Sequence, residues 1–213
     1  MGASSNIDLA AYADESSNFR KHTTGNPVQR ALIERFHARI VDRVMSLHPR
    51  TFFDAGCGEG FVAAELWAAM PGLQITGVDS SADAAAIASQ RVPQGTFGQG
   101  DVLDLPFENE RFDVVGCFEV LEHLRGDDPA RALAEYARIA RTGVVLSVPH
   151  EPAFSLANAA RGKNLDIRPR GSDPDHKQFW SRRSFGELVA REFDVIWLGG
   201  SFPWTICVGR SRR

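Results

Sequence analysis

The chain has 213 residues, 43% of them hydrophobic, which is enough for a substantial core and suits one domain rather than several. Its formal net charge of −3 does not require an anionic partner such as nucleic acid or a membrane surface. Three scattered cysteines without a C-x-x-C pair exclude a disulfide framework or zinc knuckle, and no apolar run reaches transmembrane length, so we expect a cytoplasmic protein with no membrane span.

The first 48 residues are interpreted as a cap followed by a helix. Residues 1–25 are polar and weakly patterned, and we expect them to be mobile or to fold over a ligand site. Apolar residues recur at helical spacing over residues 27–47, where Pro27 suits a helix start and Pro49 a helix stop. This helix is expected to pack on a sheet.

Strands and helices then alternate along the chain, which is typical of a parallel sheet with helices on both faces. The predicted strands lie at about 51–55, 73–78, 95–99, 112–118, 143–148, 193–199 and 203–209. The predicted helices lie at about 60–70, 80–91, 128–141, 153–161 and 181–191. The fold class predicted from this order is α/β.

One long connection interrupts the alternation, at residues 149–178. It is rich in Pro, Gly and charged residues, and a connection of this length in a compact domain is usually functional. We interpret it as a mobile lid over the site, with Phe154 and Leu156 on its inner side.

A glycine-rich turn follows the first predicted strand. Asp54, Gly56, Gly58 and Gly60 stand at alternate positions before a predicted helix. Glycines allow a sharp turn and a close approach to a ligand, and the free N–H groups of a helix start favour a polar or anionic group. Asp79 closes the second predicted strand, where an acid can accept hydrogen bonds from ribose hydroxyls.

The pattern Asp54-x-Gly56-x-Gly58-x-Gly60 resembles the first motif of the class I S-adenosylmethionine-dependent methyltransferases. The order of elements is similar to their Rossmann-like seven-stranded sheet, mostly parallel with the last strand antiparallel. The resemblance implies one methyltransferase domain over residues 1–213, with residues 149–178 on the side of the methyl acceptor, and S-adenosyl-L-methionine as cofactor.

The resemblance also assigns cofactor-binding roles to residues at the ends of the predicted strands. It implies that Asp79 holds the ribose, that Asp101 accepts from the adenine amino group beside Val102, and that backbone near Cys117 holds the methionine ammonium. The full implied set is Asp54, Gly56, Gly58, Asp79, Ser80, Asp101, Val102 and Cys117.

A second motif follows the fourth predicted strand, in the segment F-E-V-L-E-H-L. If this segment begins a helix, Glu119, Glu122 and His123 have i, i+3, i+4 spacing and share one face. Two carboxylates and an imidazole can bind a divalent metal ion. The segment resembles the E-V-L-E-H motif of ubiquinone-biosynthesis O-methyltransferases and the corresponding motif of small-RNA 2′-O-methyltransferases.

A later stretch strengthens the second of these likenesses. Residues 175–182 resemble the D-H-x-F-x-W-T-R stretch of the RNA enzymes, in which the His completes the metal site, although Phe179 is shifted by one position. The implied metal ligands are Glu119, Glu122, His123 and His176. The metal would be Mg²⁺, Mn²⁺, Fe²⁺ or Zn²⁺, and it would favour an acceptor with neighbouring oxygens such as a diol, catechol or ribose.

The histidines also allow a mechanism without metal, because E-V-L-E-H occurs in methyltransferases that bind no metal. Histidine titrates near neutral pH, so it can take a proton from an acceptor hydroxyl. The candidate catalytic bases are His123, His150 and His176.

Three functions remain open at the level of sequence. We prefer an O-methyltransferase whose partner is a small-molecule acceptor: a sugar, polyol, phenol or lipid-linked compound. An RNA 3′-terminal 2′-O-methyltransferase would share the motifs, but RNA binding needs a broad basic surface. The only basic cluster in the long connection is Arg161, Lys163, Arg168 and Arg170. The third function is a non-catalytic cofactor-binding subunit, against which the intact glycine and acid motifs argue.

Overall fold

The computed structural model describes residues 9, 12, 16–160, 162, 164–166 and 171–212. Its centre is a seven-stranded sheet in the order β3-β2-β1-β4-β5-β7-β6. The strands are β1 (Thr51–Ala55), β2 (Gln74–Asp79), β3 (Thr96–Gln99), β4 (Phe112–Phe118), β5 (Ala140–Pro149), β6 (Phe193–Ser201) and β7 (Trp204–Ser211). Pairs among β1 to β5 are parallel, and β7 is antiparallel to β5 and β6. The predicted fold class is confirmed.

Helices cover both faces of this sheet. They are α1 (Ser17–His22), α2 (Pro27–Met45), α3 (Phe61–Ala69), α4 (Ala82–Arg91), α5 (Asp128–Ile139), α6 (Ala153–Ala160) and α7 (Arg182–Val189). The side chain of Asn26 caps α2 by accepting from the N–H groups of Val28 and Gln29. Pro27 occupies the first turn, where its missing N–H costs nothing, so the predicted helix start is confirmed.

The hydrophobic core has two halves, one on each face of the sheet. Successive residues of a strand point to opposite faces, so Phe52 and Phe53 belong to different apolar clusters. The Phe52 half is closed by α2, whose Phe36 and Ile40 are buried. The other half is closed by α5, whose Tyr136 is fully buried.

The sheet reverses its strand order between β1 and β4. In open α/β sheets the ligand crevice lies outside the carboxyl ends of the strands at this point. The glycine turn after β1 and the segment after β4 both lie there, so the fold brings the two sequence motifs together. None of the helices in the described part of the chain combines the length and the apolar composition needed to cross a bilayer.

Candidate functional site

The glycine turn between β1 and α3 wraps around the end of β2. The N–H groups of Gly56 and Cys57 both donate to the Val78 carbonyl, at 2.8 and 2.9 Å. Gly56 has a φ of +78°, and a Cβ at this position would lie 2.4 Å from Cγ2 of Val120. Both the backbone conformation and the close packing therefore require glycine at position 56.

The Asp79 carboxylate is fixed beside this turn. Its Oδ2 accepts from the N–H of Gly58 at 2.8 Å, and its Oδ1 accepts from the N–H of Ser81 at 2.9 Å. A carboxylate oxygen can accept more than one hydrogen bond, so both oxygens can still accept from a ligand hydroxyl. The arrangement suits a ligand with two neighbouring hydroxyl groups.

Asp54 lies behind the turn, at 2% exposure. Burial, and then repulsion from Asp79, raises the pKa of the Asp54 carboxyl to about 7. Near neutral pH this group can therefore gain or lose a proton. A cationic ligand group arriving nearby would favour its ionised form.

The remaining predicted cofactor residues lie around the same strand ends. Asp101 is exposed, and its Oδ1 accepts from a backbone N–H two residues further on; the neighbouring Val102 is buried. Ser80 is exposed next to Asp79. The Cys117 thiol is buried against the Tyr136 hydroxyl at 3.4 Å, and burial raises its pKa far above the usual range. Only the backbone at Cys117 is therefore suited to meet a ligand.

The segment after β4 is not the continuous helix that the spacing suggested. The chain turns sharply at Glu119, which has a φ of +60°, and only Leu121–His123 form a short 3₁₀ helix. Glu119 consequently does not share a helical face with the other two predicted ligands. Its carboxylate accepts from Nε1 of Trp204 at 2.5 Å and lies 3.5 Å from Nζ of Lys21. Burial raises the pKa of Glu119, and the Lys21 ammonium opposes this shift.

Glu122, His123 and His176 do come together, and we call them the acid–imidazole cluster. One potential ligand atom of each lies within 4.8 Å of those of the other two. The rings of the two histidines meet edge-on, with centroids 5.2 Å apart. The end of the long connection is attached at this point by a hydrogen bond in which the N–H of Lys177 donates to the Glu122 carbonyl at 2.7 Å.

Burial shifts the pKa values of two members of the acid–imidazole cluster, Glu122 and His176. Both carboxylate oxygens of Glu122 are buried without a hydrogen-bond partner. Burial, and then repulsion from Glu119, raises the pKa of Glu122 well above its usual range. Burial, and then the nearby His123, lowers the pKa of His176 to about 4. An unpaired buried carboxylate beside imidazoles is a site that a cation would stabilise.

His150, the third predicted base, is engaged differently. Its Nδ1 lies 3.0 Å from Oγ1 of Thr205 on β7. Burial, and then the Arg182 guanidinium, lowers its pKa. Among the described residues it is not part of the acid–imidazole cluster.

A residue that sequence reasoning missed fastens the N-terminal segment onto the glycine turn. Glu59 is 2% exposed, and its carboxylate accepts from the Tyr12 hydroxyl, the Ser16 hydroxyl and the Asn18 amide at 2.8, 2.7 and 2.5 Å. An acid between two glycines is easily interpreted as an exposed loop residue. The only signal in the sequence is the run of polar residues near position 16, and the sequence does not show which residue they contact.

The far end of α1 is anchored as well. His22 stacks on Phe61 with ring centroids 4.4 Å apart, and its Nε2 lies 3.1 Å from Nε2 of His37. His37 in turn lies 2.7 Å from the Glu65 carboxylate. Burial lowers the pKa of His22 to about 3. These contacts join α1 to both α2 and α3.

The described part of the long connection contains the predicted helix, α6, and a return segment packed against it. Gly171 has a φ of +87°, and a Cβ there would lie 2.0 Å from the Ser155 carbonyl oxygen. Phe154 faces the site, with its ring centroid 5.5 Å from that of His176. Leu156 is 64% exposed and therefore lies on the solvent side of α6. Its predicted inner position is wrong. The basic residues of the predicted cluster, Arg161, Lys163, Arg168 and Arg170, lie outside the described residues.

Comparison with known proteins finds a sequence family and several relatives to which the chain is similar. Residues 53–148 match the sequence family described as "Methyltransferase domain". The chain is 33% identical over 159 residues to a ubiquinone biosynthesis O-methyltransferase of Alkalilimnicola ehrlichii, covering 70% of this chain and 62% of that protein. It is 36% identical over 81 residues to a demethylmenaquinone methyltransferase of Thermotoga maritima, covering 38% and 35%. The chain thus spans less than two thirds of the length of either relative.

Two solved structures show the same fold. A magnesium protoporphyrin IX methyltransferase from Synechocystis PCC 6803 with bound SAH has a TM-score of 0.72 at 19% identity, covering 96% of this chain and 99% of that one. A small RNA methyltransferase has a TM-score of 0.62 at 23% identity, covering 81% and 25%. At these identities the similarity is one of architecture.

Proposed function

We propose that this chain, whose residues 53–148 match the methyltransferase domain family, is a class I S-adenosylmethionine-dependent enzyme that methylates a hydroxyl group of a small molecule. The acceptor is a sugar, polyol, phenol or lipid-linked alcohol. The observation that carries the proposal is the placement of Asp79, at the end of β2, and the acid–imidazole cluster, after β4, on either side of β1 at the carboxyl edge of the sheet.

The cofactor, S-adenosylmethionine, supplies an activated methyl group. The site fits it because Asp79, already held by two backbone N–H groups, has lone pairs left for two ribose hydroxyls. The exposed Asp101 would accept from the adenine amino group, with the buried Val102 against the ring. The turn at Gly56 and the backbone at Cys117 would face the methionine part.

The acid–imidazole cluster fits a divalent cation. The Glu122 oxygens lack hydrogen-bond partners, and the nitrogen atoms of His123 and His176 lie within ligand-sharing distance of them. One carboxylate with two imidazoles favours Mn²⁺, Fe²⁺ or Zn²⁺ over Mg²⁺. Bound there, such an ion would lower the pKa of an acceptor hydroxyl.

The side chains of the cluster can also act on the acceptor directly. Burial, and then the nearby His123, lowers the pKa of His176 to about 4, so its ring is neutral at physiological pH and can accept a hydrogen bond from an acceptor hydroxyl. Phe154 lies against His176 and excludes water from one side of it. His150 is a less direct base because Thr205 engages its Nδ1.

The experiment that tests this function measures cofactor binding and methyl transfer separately. A labelled methyl donor is incubated with catechols, hexoses, polyols and a short RNA with a free 3′ end, before and after chelation, and with Mn²⁺ added back. We expect chelation, or His176→Ala, to abolish transfer while leaving the affinity for S-adenosylhomocysteine unchanged, because His176 contacts no cofactor motif.

Other outcomes of this experiment separate the alternatives. Full activity in excess chelator would contradict the metal and leave His176 or His123 as the base. Transfer confined to RNA, with affinity that falls steeply with salt, would identify a ribose 2′-hydroxyl as the acceptor. Cofactor binding with no transfer to any acceptor would favour a non-catalytic subunit.

A further inference from the structure

Glu119 is the predicted metal ligand that the structure places outside the acid–imidazole cluster. It sits where the chain turns out of β4, with its side chain 17% exposed. One of its carboxylate oxygens, Oε2, accepts from Nε1 of Trp204 and faces Nζ of Lys21 at 3.5 Å. The other oxygen, Oε1, is buried with no hydrogen-bond partner. One of the two oxygens of the Glu119 carboxylate is thus already bound by other side chains of the protein.

Lys21 makes a second contact that fixes its position. Its ammonium lies 5.0 Å from the ring centroid of Trp204, which in turn stacks on Phe36 at 4.4 Å. A cation over an indole face is attracted by the ring quadrupole. The helix that carries Lys21 is anchored at both ends, by Ser16 on Glu59 and by His22 on Phe61. The Lys21 ammonium is therefore carried by a helix whose position is fixed at both ends.

Glu122 stands in contrast to Glu119. Neither of its oxygens has a hydrogen-bond partner, and its neighbours are the imidazoles of His123 and His176. Glu119 acts electrostatically on Glu122, three residues further along the chain, but its carboxylate is not among the ligand atoms that come within 4.8 Å of one another in the acid–imidazole cluster. Lys21 pairs directly with Glu119 but acts on Glu122 only electrostatically, and both Glu122 oxygens remain without a hydrogen-bond partner.

We propose that Lys21 is a positioning residue that holds Glu119 against Trp204 and thereby keeps it from joining a cation bound by the acid–imidazole cluster. This inference rests on the divalent site of the proposed function. It makes the N-terminal helix a determinant of cation affinity. A buried carboxylate that loses its partner is strongly driven to find another positive charge, and the cluster is where that charge would be.

The test uses Mn²⁺ alone, with the free ion measured by electron paramagnetic resonance against the full-length chain. Lys21→Met should bind Mn²⁺ about tenfold more tightly than the natural chain, because Glu119 is released to become a ligand. Lys21→Arg keeps a cation beside Glu119 and should bind as the natural chain does. Lys21→Met combined with Glu119→Gln should lose the gain, which a general loosening of the fold would not predict.

Trp204→Phe releases Glu119 by a second route. Phenylalanine keeps a ring against Phe36 but removes the N–H that Glu119 accepts from, so Mn²⁺ binding should again tighten. If Lys21→Met does not fold, as judged by circular dichroism, the Mn²⁺ affinity of Trp204→Phe tests the proposal in its place.

The outcomes separate this inference from the proposed function. Unchanged or weaker Mn²⁺ binding by folded Lys21→Met, or by Trp204→Phe in its place, would overturn the role of Lys21, even if Glu122→Gln abolishes binding and so supports the cluster. Tighter binding in Lys21→Met that survives Glu119→Gln would also overturn it. A gain that depends on Glu119, seen where the natural chain binds no Mn²⁺, would support the inference and count against the cluster as a resident metal site.

Discussion

Asp54 shows how the fold changes the chemistry of one side chain. Its ordinary pKa is 3.8, and burial together with Asp79 raises the pKa in the folded state to about 7. Because the folded value is the higher one, the fold favours the neutral acid. The resulting stabilisation is fully present below pH 3.8 and is lost as the pH rises through 7.

We therefore expect Asp54→Asn to change the pH dependence of stability. Between pH 4 and pH 8 the natural chain should lose on the order of 4 kcal/mol relative to the variant, since each unit of pKa shift corresponds to about 1.4 kcal/mol. Denaturant unfolding of both proteins across this range measures the difference. Asp83→Asn, at an exposed position in the first turn of α4, is the control and should follow the natural chain. Parallel curves for Asp54→Asn and the natural chain would show that Asp54 does not titrate in this way.

At the scale of elements, the N-terminal end of α1 is held by a single carboxylate. Three side-chain donors converge on Glu59, and each hydrogen bond to a charged group contributes about 1.5–3 kcal/mol. Glu59→Ala should therefore release α1, and its amides should exchange with solvent about tenfold faster or more. Hydrogen exchange read by mass spectrometry measures this. Tyr12→Phe removes one of the three donors and should have a smaller effect.

The contrary result for α1 is equally clear. If α1 exchanges at the same rate in Glu59→Ala and in the natural chain, the packing of His22 on Phe61 is sufficient to hold it. Exchange in α2 serves as the internal reference, because its buried Ile40 and Val44 are remote from Glu59 in sequence and belong to the core.

The elements with regular patterns were predictable, and those set by a turn were not. The helical spacing of Ile33, Phe36 and Ile40 identified α2 because this helix buries one face along its whole length. The same kind of spacing failed after β4, since i, i+3, i+4 describes neighbours only if the chain is already helical. The backbone of Glu119 adopts a left-handed conformation, so the segment is not helical there, and nothing in the local sequence indicates this conformation.

At the scale of the whole molecule, the alternation of strands and helices predicted the sheet because each strand is short, apolar and bounded by polar turns. It also predicted where the glycine turn and the segment after β4 would meet, since parallel strands end at one edge. The contact of Glu119 with Trp204 joins residues 85 positions apart, and that of Glu59 with Tyr12 joins residues 47 apart. Contacts of that range follow from the packed fold, and a local pattern does not contain them.

The most direct measurement of the central claim is a calorimetric titration of S-adenosylmethionine and S-adenosylhomocysteine into the natural chain, Asp79→Ala and Asp83→Ala. The account predicts one-to-one binding of both ligands by the natural chain and by Asp83→Ala. Asp79→Ala should lose about 1.5–3 kcal/mol of binding free energy, because its carboxylate organises the Gly58 turn and accepts from the ligand. No heat with either ligand on the folded natural chain, or equal affinity in Asp79→Ala, would contradict the account.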